Sequence, residues 1–202
     1  MATVNYKLIK NFFTKEELNL LQRYCYRQLD DYKTCEFDTQ CFSPAWYKDP
    51  LMDSLLDSKK FLVEKESGLK LNPTYAYWRY YVFGGKLSKH TDRPSCEVSV
   101  TTCIKKHDDW PIVVEGTSLE LEEGDGVLYA GCVQEHWRPG IYKGEGLAQV
   151  FMHYVDVDGP FVHHSFDSIL KNEGAIFCEG DEEIIKKERK KFLNERKDNN
   201  KR

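Results

Sequence analysis

TYAYWRYYVFGGKLSKHTDRPSCEVSVTTCI, residues 74–104, runs from an alternating aromatic segment through a Gly-Gly bend to a histidine and an aspartate one residue apart, then into a β-branched run. Side chains two apart on an extended chain share a face. Tyr75, Tyr77 and Arg79 therefore point one way, and Tyr81 continues the series. The same rule puts His90 and Asp92 into one space if the chain extends again after Gly84-Gly85, where glycine permits a tight bend. Two metal ligands would be set in this way. A surface histidine beside a turn is the competing reading of His90.

Outward from this stretch, WPIVVEG, SLELEEG, GVLYAG and LAQVFMHYV are further short β-branched and aromatic runs punctuated by Gly, Pro and Asp. Many short strands at close spacing predict a mainly β fold, a sandwich or squashed barrel. Helices flank it. Thr14 followed by Glu17 has the spacing of a capping box and opens a helix at 14–30 with Leu18, Leu21, Cys25 and Leu29 on its apolar face. Asp49-Pro50 opens a second at 50–66 with Leu51, Leu55 and Leu62 on one side. Residues 31–49 and 160–180 read as loops at the mouth of the fold, where substrate choice would reside. Glu182/Lys186 and Glu183/Lys187 stand at helical spacing in a tail that reads as a solvated, fraying helix.

With 202 residues, 41% of them hydrophobic, the chain is long enough for one sizeable core, and one domain is expected. MATVNYKLIKNFF holds no apolar run of signal or membrane-span length. Seven cysteines without a CxxC pair give neither a disulfide framework nor a zinc pattern, which suits a reducing cytoplasm. Residues 186–202 carry nine basic and three acidic side chains, +6, so the rest sums to −10 against the net −4. A nucleic-acid arm is the weaker reading of this tail, because most such charge runs are simply solvated.

A second HxD, His107-Asp108-Asp109, sits in a polar turn and reads as a loop histidine. His90 and Asp92 gain weight from His136, forty-four residues beyond Asp92, after strand, Gly-rich turn and strand. Two histidines and one carboxylate on one face of a metal leave three positions open, the arrangement of non-haem Fe(II) oxygenases. His153, within VFMHYV, reads as a packed histidine rather than a fourth ligand, and His163-His164 as an exposed loop pair. Among Trp78, Trp110 and Trp137, at least two are expected in the core.

KLSKHTDR, GDGVLYAGCVQEHW and GLAQVFMHYVD, in that order, resemble the iron(II)- and 2-oxoglutarate-dependent oxygenases, particularly the group with the prolyl hydroxylases. The resemblance covers about residues 72–158. It implies a double-stranded β-helix (jelly-roll, cupin-like) core over 72–158, with a strand and supporting helices in 1–71 and a loop and basic helix in 159–202. It implies Fe(II) held by His90, Asp92 and His136, with 2-oxoglutarate as cosubstrate and O2 as oxidant. The implied reaction hydroxylates an aliphatic C–H of a protein, peptide or small molecule and yields succinate and CO2. No separate acid–base residue is expected.

In one respect the chain departs from that pattern. Relatives usually place Arg or Lys about ten residues after the distal histidine, whereas Gly146 and Leu147 stand there in this sequence. The far carboxylate of 2-oxoglutarate needs a cationic partner when buried. Arg138 ranks first, because it lies two residues beyond His136 and its planar fork suits a carboxylate. Lys105 ranks second, by likeness to the lysine of asparaginyl-hydroxylase-like members, and Lys143 is weaker. Tyr81 and Arg79 fall where related enzymes put a tyrosine and an amide that bind 2-oxoglutarate. Arg93 would orient a ligand or meet substrate. The missing cation also keeps open a non-catalytic cupin-like metal or small-ligand binder.

Overall fold

The computed structural model describes residues 4–30, 35–47, 49–167 and 178–199. Eleven strands and three helices are seen among them: β1 Lys7–Ile9, α1 Lys15–Leu29, β2 Glu36–Asp38, β3 Ser43–Tyr47, α2 Pro50–Ser67, β4 Leu71–Tyr81, β5 Val98–Thr102, β6 Lys105–Lys106, β7 Ile112–Val114, β8 Thr117–Leu119, β9 Gly126–Tyr129, β10 His136–Trp137, β11 Leu147–Asp156 and α3 Asp181–Asn199. The major sheet runs β1-β9-β5-β11-β4-β3-β2, with β6 also on β11, and the minor sheet runs β10-β7-β8. All pairings are antiparallel.

Alternation along the central strands sorts the major sheet into two faces. Ala76 and Trp78 of β4, Val98 and Val100 of β5, and Val150, Met152 and Tyr154 of β11 join Leu21 and Cys25 of α1 and Met52, Leu55, Leu56 and Val63 of α2 in one buried cluster. Tyr81, Val127, Tyr129, Leu147 and Phe151, from the opposite alternation, pack with Ile112 and Val114 of the minor sheet. All ten residues of β11 are buried, as expected of a strand covered on both sides. Trp46 and Trp78 stack at 3.9 Å and 8° beneath the helices. Trp78 and Trp110 are core residues, in line with expectation.

Both N-terminal helices begin as their sequences dictate. The Thr14 hydroxyl accepts from Glu17 N–H at 3.2 Å while the Glu17 carboxylate accepts from Thr14 N–H at 2.8 Å. Asp49 caps α2, and also accepts from Tyr24 Oη (2.7 Å) and Trp78 Nε1 (3.2 Å), so one carboxylate ties both helices to the sheet. In α2 the buried face centres on Met52, Leu55, Leu56 and Val63, with Leu51 and Leu62 only partly buried.

Three expectations need correction. Residues 36–38 and 43–47 extend the major sheet as β2 and β3 instead of forming a plain loop, while 31–34 and 48 lie outside the described residues. Helix α3 is docked, not merely solvated. Its Phe192 is buried, Arg196 donates to Glu115 Oε2 and O at 2.8 Å each, and Arg189 reaches Glu115 and Val133 O (2.7 Å). His164 is buried instead of exposed. Among the described residues no helix is long and apolar enough to cross a membrane.

Candidate metal centre

His90 and Asp92 do not lie on a regular strand. The chain turns at Gly84, whose φ is 90°, and then makes a single bridge in which His90 N–H donates to His136 C=O (3.1 Å) and His136 N–H returns to His90 C=O (2.9 Å). Asp92 N–H reaches Gly131 C=O at 2.9 Å. These bonds give the stretch the extended geometry that the HxD reading requires. His136 begins β10, opposite Val114 of β7. The GDG preceding it is structural, since Asp125 accepts from Lys10 Nζ, Asn11 N–H and Glu122 N–H.

The three side chains meet. Asp92 Oδ1 is 3.3 Å from His90 Nε2 and 3.4 Å from His136 Nε2, and the two rings lie 4.3 Å apart. Each imidazole is fixed from behind: His90 Nδ1 bonds to Ser88 O at 2.8 Å and His136 Nδ1 to Gln134 O at 3.0 Å. A carbonyl only accepts, so both Nδ1 atoms carry hydrogen, and in the neutral form that metal binding requires each ring turns its Nε2 lone pair toward a carboxylate oxygen. Three acceptors converging on one point need a cation between them. Metal–donor bonds of about 2.0–2.2 Å at right angles separate the donors by roughly 3 Å, close to the spacing found.

Electrostatics agree with that reading. Burial alone would raise the Asp92 carboxyl, but the neighbouring His136 and His90 imidazoles hold it well below the usual carboxylate range. Burial lowers His90, but its bond to Asp92 leaves it raised on balance. His153 is packed as expected, 3% exposed, with Nδ1 2.9 Å from Ser99 Oγ and its ring on Tyr75. Burial pulls it down to about 4, so it is neutral at physiological pH. Its donor atom also clusters with those of Asp92 and Cys96, and its Nε2 has no partner.

A cavity of about 180 Å³ opens beside the three ligands. Tyr75, Tyr77, Arg79 and Tyr81 all line it, as the alternation of β4 predicts, and so does Arg138. The two arginines differ in state. Arg79 Nη2 pairs with Asp38 at 2.7 Å and its Nη1 reaches Ser43 Oγ at 3.1 Å. Arg138, 4% exposed, donates through Nη1 to Trp110 O, and its ring neighbour at 5.1 Å is Trp110. Its Nε and Nη2 are buried without partners. Burial lowers its pKa, outweighing the opposite effects of Tyr81 and Cys103.

Lys105 departs from expectation. Its Nζ is bound to Glu123 at 2.9 Å on the outer side, beside a separate groove of about 600 Å³ under α1. A strand residue on the wrong alternation cannot reach the inner face. Lys143 is exposed and does not line the cavity. Arg93 stacks over Tyr75 at 4.4 Å and pairs with Asp167 at 2.9 Å. Gly146 has its own steric reason: a Cβ there would lie 1.8 Å from Tyr80 Oη. Sequence reasoning missed Asp38, which neutralises Arg79, and the pair Thr101 Oγ1 and Tyr129 Oη, 3.0 Å apart on the cavity wall. The polar inward positions Ser99 and Thr101 in EVSVTTCI carried that signal.

No protein-family model matches the sequence, and no curated protein matches it. Solved structures do. The chain is similar to a Pseudomonas putida prolyl-4-hydroxylase, at 15% identity and TM-score 0.60, over 77% of this chain and 94% of that one. It is similar to EctD from S. alaskensis with bound Fe, at 15% identity and TM-score 0.62, over 86% and 83%. It is also similar to SnoK, a non-heme alpha ketoglutarate dependent carbocyclase from nogalamycin biosynthesis, at 11% identity and TM-score 0.63, over 76% and 80%. These likenesses show the fold, a double-stranded β-helix.

Proposed function

We propose that this chain is an Fe(II)- and 2-oxoglutarate-dependent dioxygenase that hydroxylates an aliphatic C–H of a protein, peptide or small-molecule substrate. The observation that carries the reading is one cavity holding both a convergent His90, Asp92, His136 donor set and a buried guanidinium, Arg138, with unpaired N–H groups. The fold likeness to an enzyme crystallised with Fe and to an alpha ketoglutarate dependent one supports it. Iron with 2-oxoglutarate and O2 would supply an oxidant strong enough for an unactivated C–H, one oxygen atom going to succinate, formed with CO2, and the other to the substrate hydroxyl. Everything else is done by the chain.

His90 and His136 present Nε2 lone pairs because Ser88 O and Gln134 O hold their Nδ1 hydrogens. Asp92 stays ionised through the physiological range and adds the negative charge that suits a ferrous ion. Arg138, with Nε and Nη2 unpaired, would hold the far carboxylate of the cosubstrate, which would relieve the cost of a buried unpaired charge. Tyr81 stands on the same wall. Asp38 keeps Arg79 engaged, so it does not compete for that carboxylate. Tyr77 and Phe151, stacked at 4.7 Å, form an apolar side of the cavity that limits water.

The test is succinate release from 2-oxoglutarate by purified protein with Fe(II) and O2, without added substrate. Iron-dependent turnover that disappears in Asp92→Ala supports the reading. Tight iron binding with no succinate, even with candidate substrates, would instead make the chain a non-catalytic binder of the cupin type.

A further inference from the structure

Downstream of β11 the chain makes a short 3-10 turn at Val162–His164, after a fully buried Phe161. Against it sits Asp181, the first residue of α3, with a side chain that is 0% exposed. His163 Nε2 lies 3.0 Å from Asp181 Oδ1 and His164 Nε2 lies 2.9 Å from Oδ2. Cys178 N–H also donates to Oδ2, at 2.6 Å, folding Cys178 back toward the same point. One donor atom from each of His163, His164, Cys178 and Asp181 lies within 4.8 Å of every other.

We propose that these four side chains form a second metal site, of zinc type, that fastens the start of α3 to the turn after β11. A tetrahedral ion with bonds of about 2.0 Å to nitrogen and oxygen and about 2.3 Å to sulfur has donor–donor edges of roughly 3.3–3.8 Å. The two imidazole-to-carboxylate spacings, 3.0 and 2.9 Å, are slightly shorter than these edges and the other donors lie within 4.8 Å, so closing around an ion requires only small side-chain movements. Two imidazoles, a thiolate and a carboxylate make a closed four-donor set. A thiolate favours Zn²⁺ over the harder cations that an all-oxygen site would choose. The first centre, with three N and O donors and open positions, has the opposite character.

Charge supports the assignment. The two rings are adjacent in sequence, with centroids 4.4 Å apart, and face one buried carboxylate. Two imidazolium ions at that distance repel each other. One dication satisfies both neutral rings, the carboxylate and the thiolate together. A metal-free cluster, with both rings donating Nε2–H to Asp181, is the competing account, and in it Cys178 Sγ has no role. The inference rests only on these residues, not on the oxygenase reading.

The experiment uses the full chain carrying Asp92→Ala, which disables the first centre, freed of metal by chelator and titrated with Co²⁺ alone. One bound equivalent is expected, with thiolate-to-cobalt charge transfer in the near ultraviolet and strong visible bands of tetrahedral Co²⁺. Adding Cys178→Ser, at an exposed position, should abolish the charge-transfer band and weaken Zn²⁺ in competition with a chromophoric chelator by roughly tenfold or more. Asp181→Asn should weaken Zn²⁺ similarly. If Asp181→Asn fails to fold, Cys178→Ser decides alone. Absence of the thiolate band, or a band and affinity unchanged by Cys178→Ser, overturns the site.

Discussion

His90 and His136 are joined by two backbone hydrogen bonds of opposite sense, at 3.1 and 2.9 Å, although they lie forty-six residues apart in the chain. The bridge fixes the separation of two ligands before any ion arrives, so binding does not have to order them. Replacing His136 by Ala removes a donor while leaving this backbone pair in place. Anaerobic Fe(II) binding should weaken by more than about 100-fold, beyond the effect of losing an outer hydrogen bond. Far-ultraviolet circular dichroism should be unchanged. Unaltered iron affinity would count against the triad.

Arg138→Ala should raise the 2-oxoglutarate concentration for half-maximal succinate release by about thirtyfold or more, since truncating one partner of a buried charge pair costs roughly 2–5 kcal/mol. Arg138→Lys should recover only part of this, because the planar fork is lost. Lys105→Ala, on the outer face, should stay within about twofold. The reverse order of effects would move the anchor to Lys105.

Gly131 is a sensitive position outside the ligand set. A Cβ there would lie 2.5 Å from Cys96 O and 2.6 Å from Asp92 Oδ2. Gly131→Ala should therefore displace Asp92, weaken Fe(II) and destabilise the fold by about 1–3 kcal/mol in urea denaturation. A variant with wild-type iron affinity would show that the Asp92 carboxylate tolerates movement.

Glu97 sets a pH dependence of stability. It is fully buried, with one oxygen accepting from Asp156 N–H at 2.8 Å and the other without a partner. Burial pushes its carboxyl up to about 8. Between the unfolded value near 4.5 and about 8, the folded chain holds a proton that the unfolded chain has released, so this group's contribution falls as pH rises through that window. Glu97→Gln should remove the fall and gain a few kcal/mol over wild type above pH 8, at about 1.4 kcal/mol per unit. Equal pH profiles of denaturation midpoints for the two proteins would refute it.

The central strands and the triad were legible because each depends on local pattern. Period-two alternation in 74–82 and 147–155 predicts which side chains enter the cavity, and HxD with a later histidine needs only spacing. The place of Arg138 on the cavity wall was legible for the same reason, two residues from His136. Asp38 and β2 were not, since a three-residue edge strand carries no period and its acid has meaning only beside Arg79. The docking of α3 through Arg189 and Arg196 was also hidden. A charge run shows its sign, but Glu115, seventy-four and eighty-one residues away, decides whether it is solvated.

The contact between Gly146 and Tyr80 has a further consequence. A side chain at 146 would first have to displace the Tyr80 phenol, which lines the groove under α1, so this position faces away from the metal cavity, and the inward one is Leu147, buried with Tyr81 and Phe151. A cation placed at 146 would therefore extend toward α1, and only a substitution at Leu147 would bring one to the inner face on which Arg138 lies.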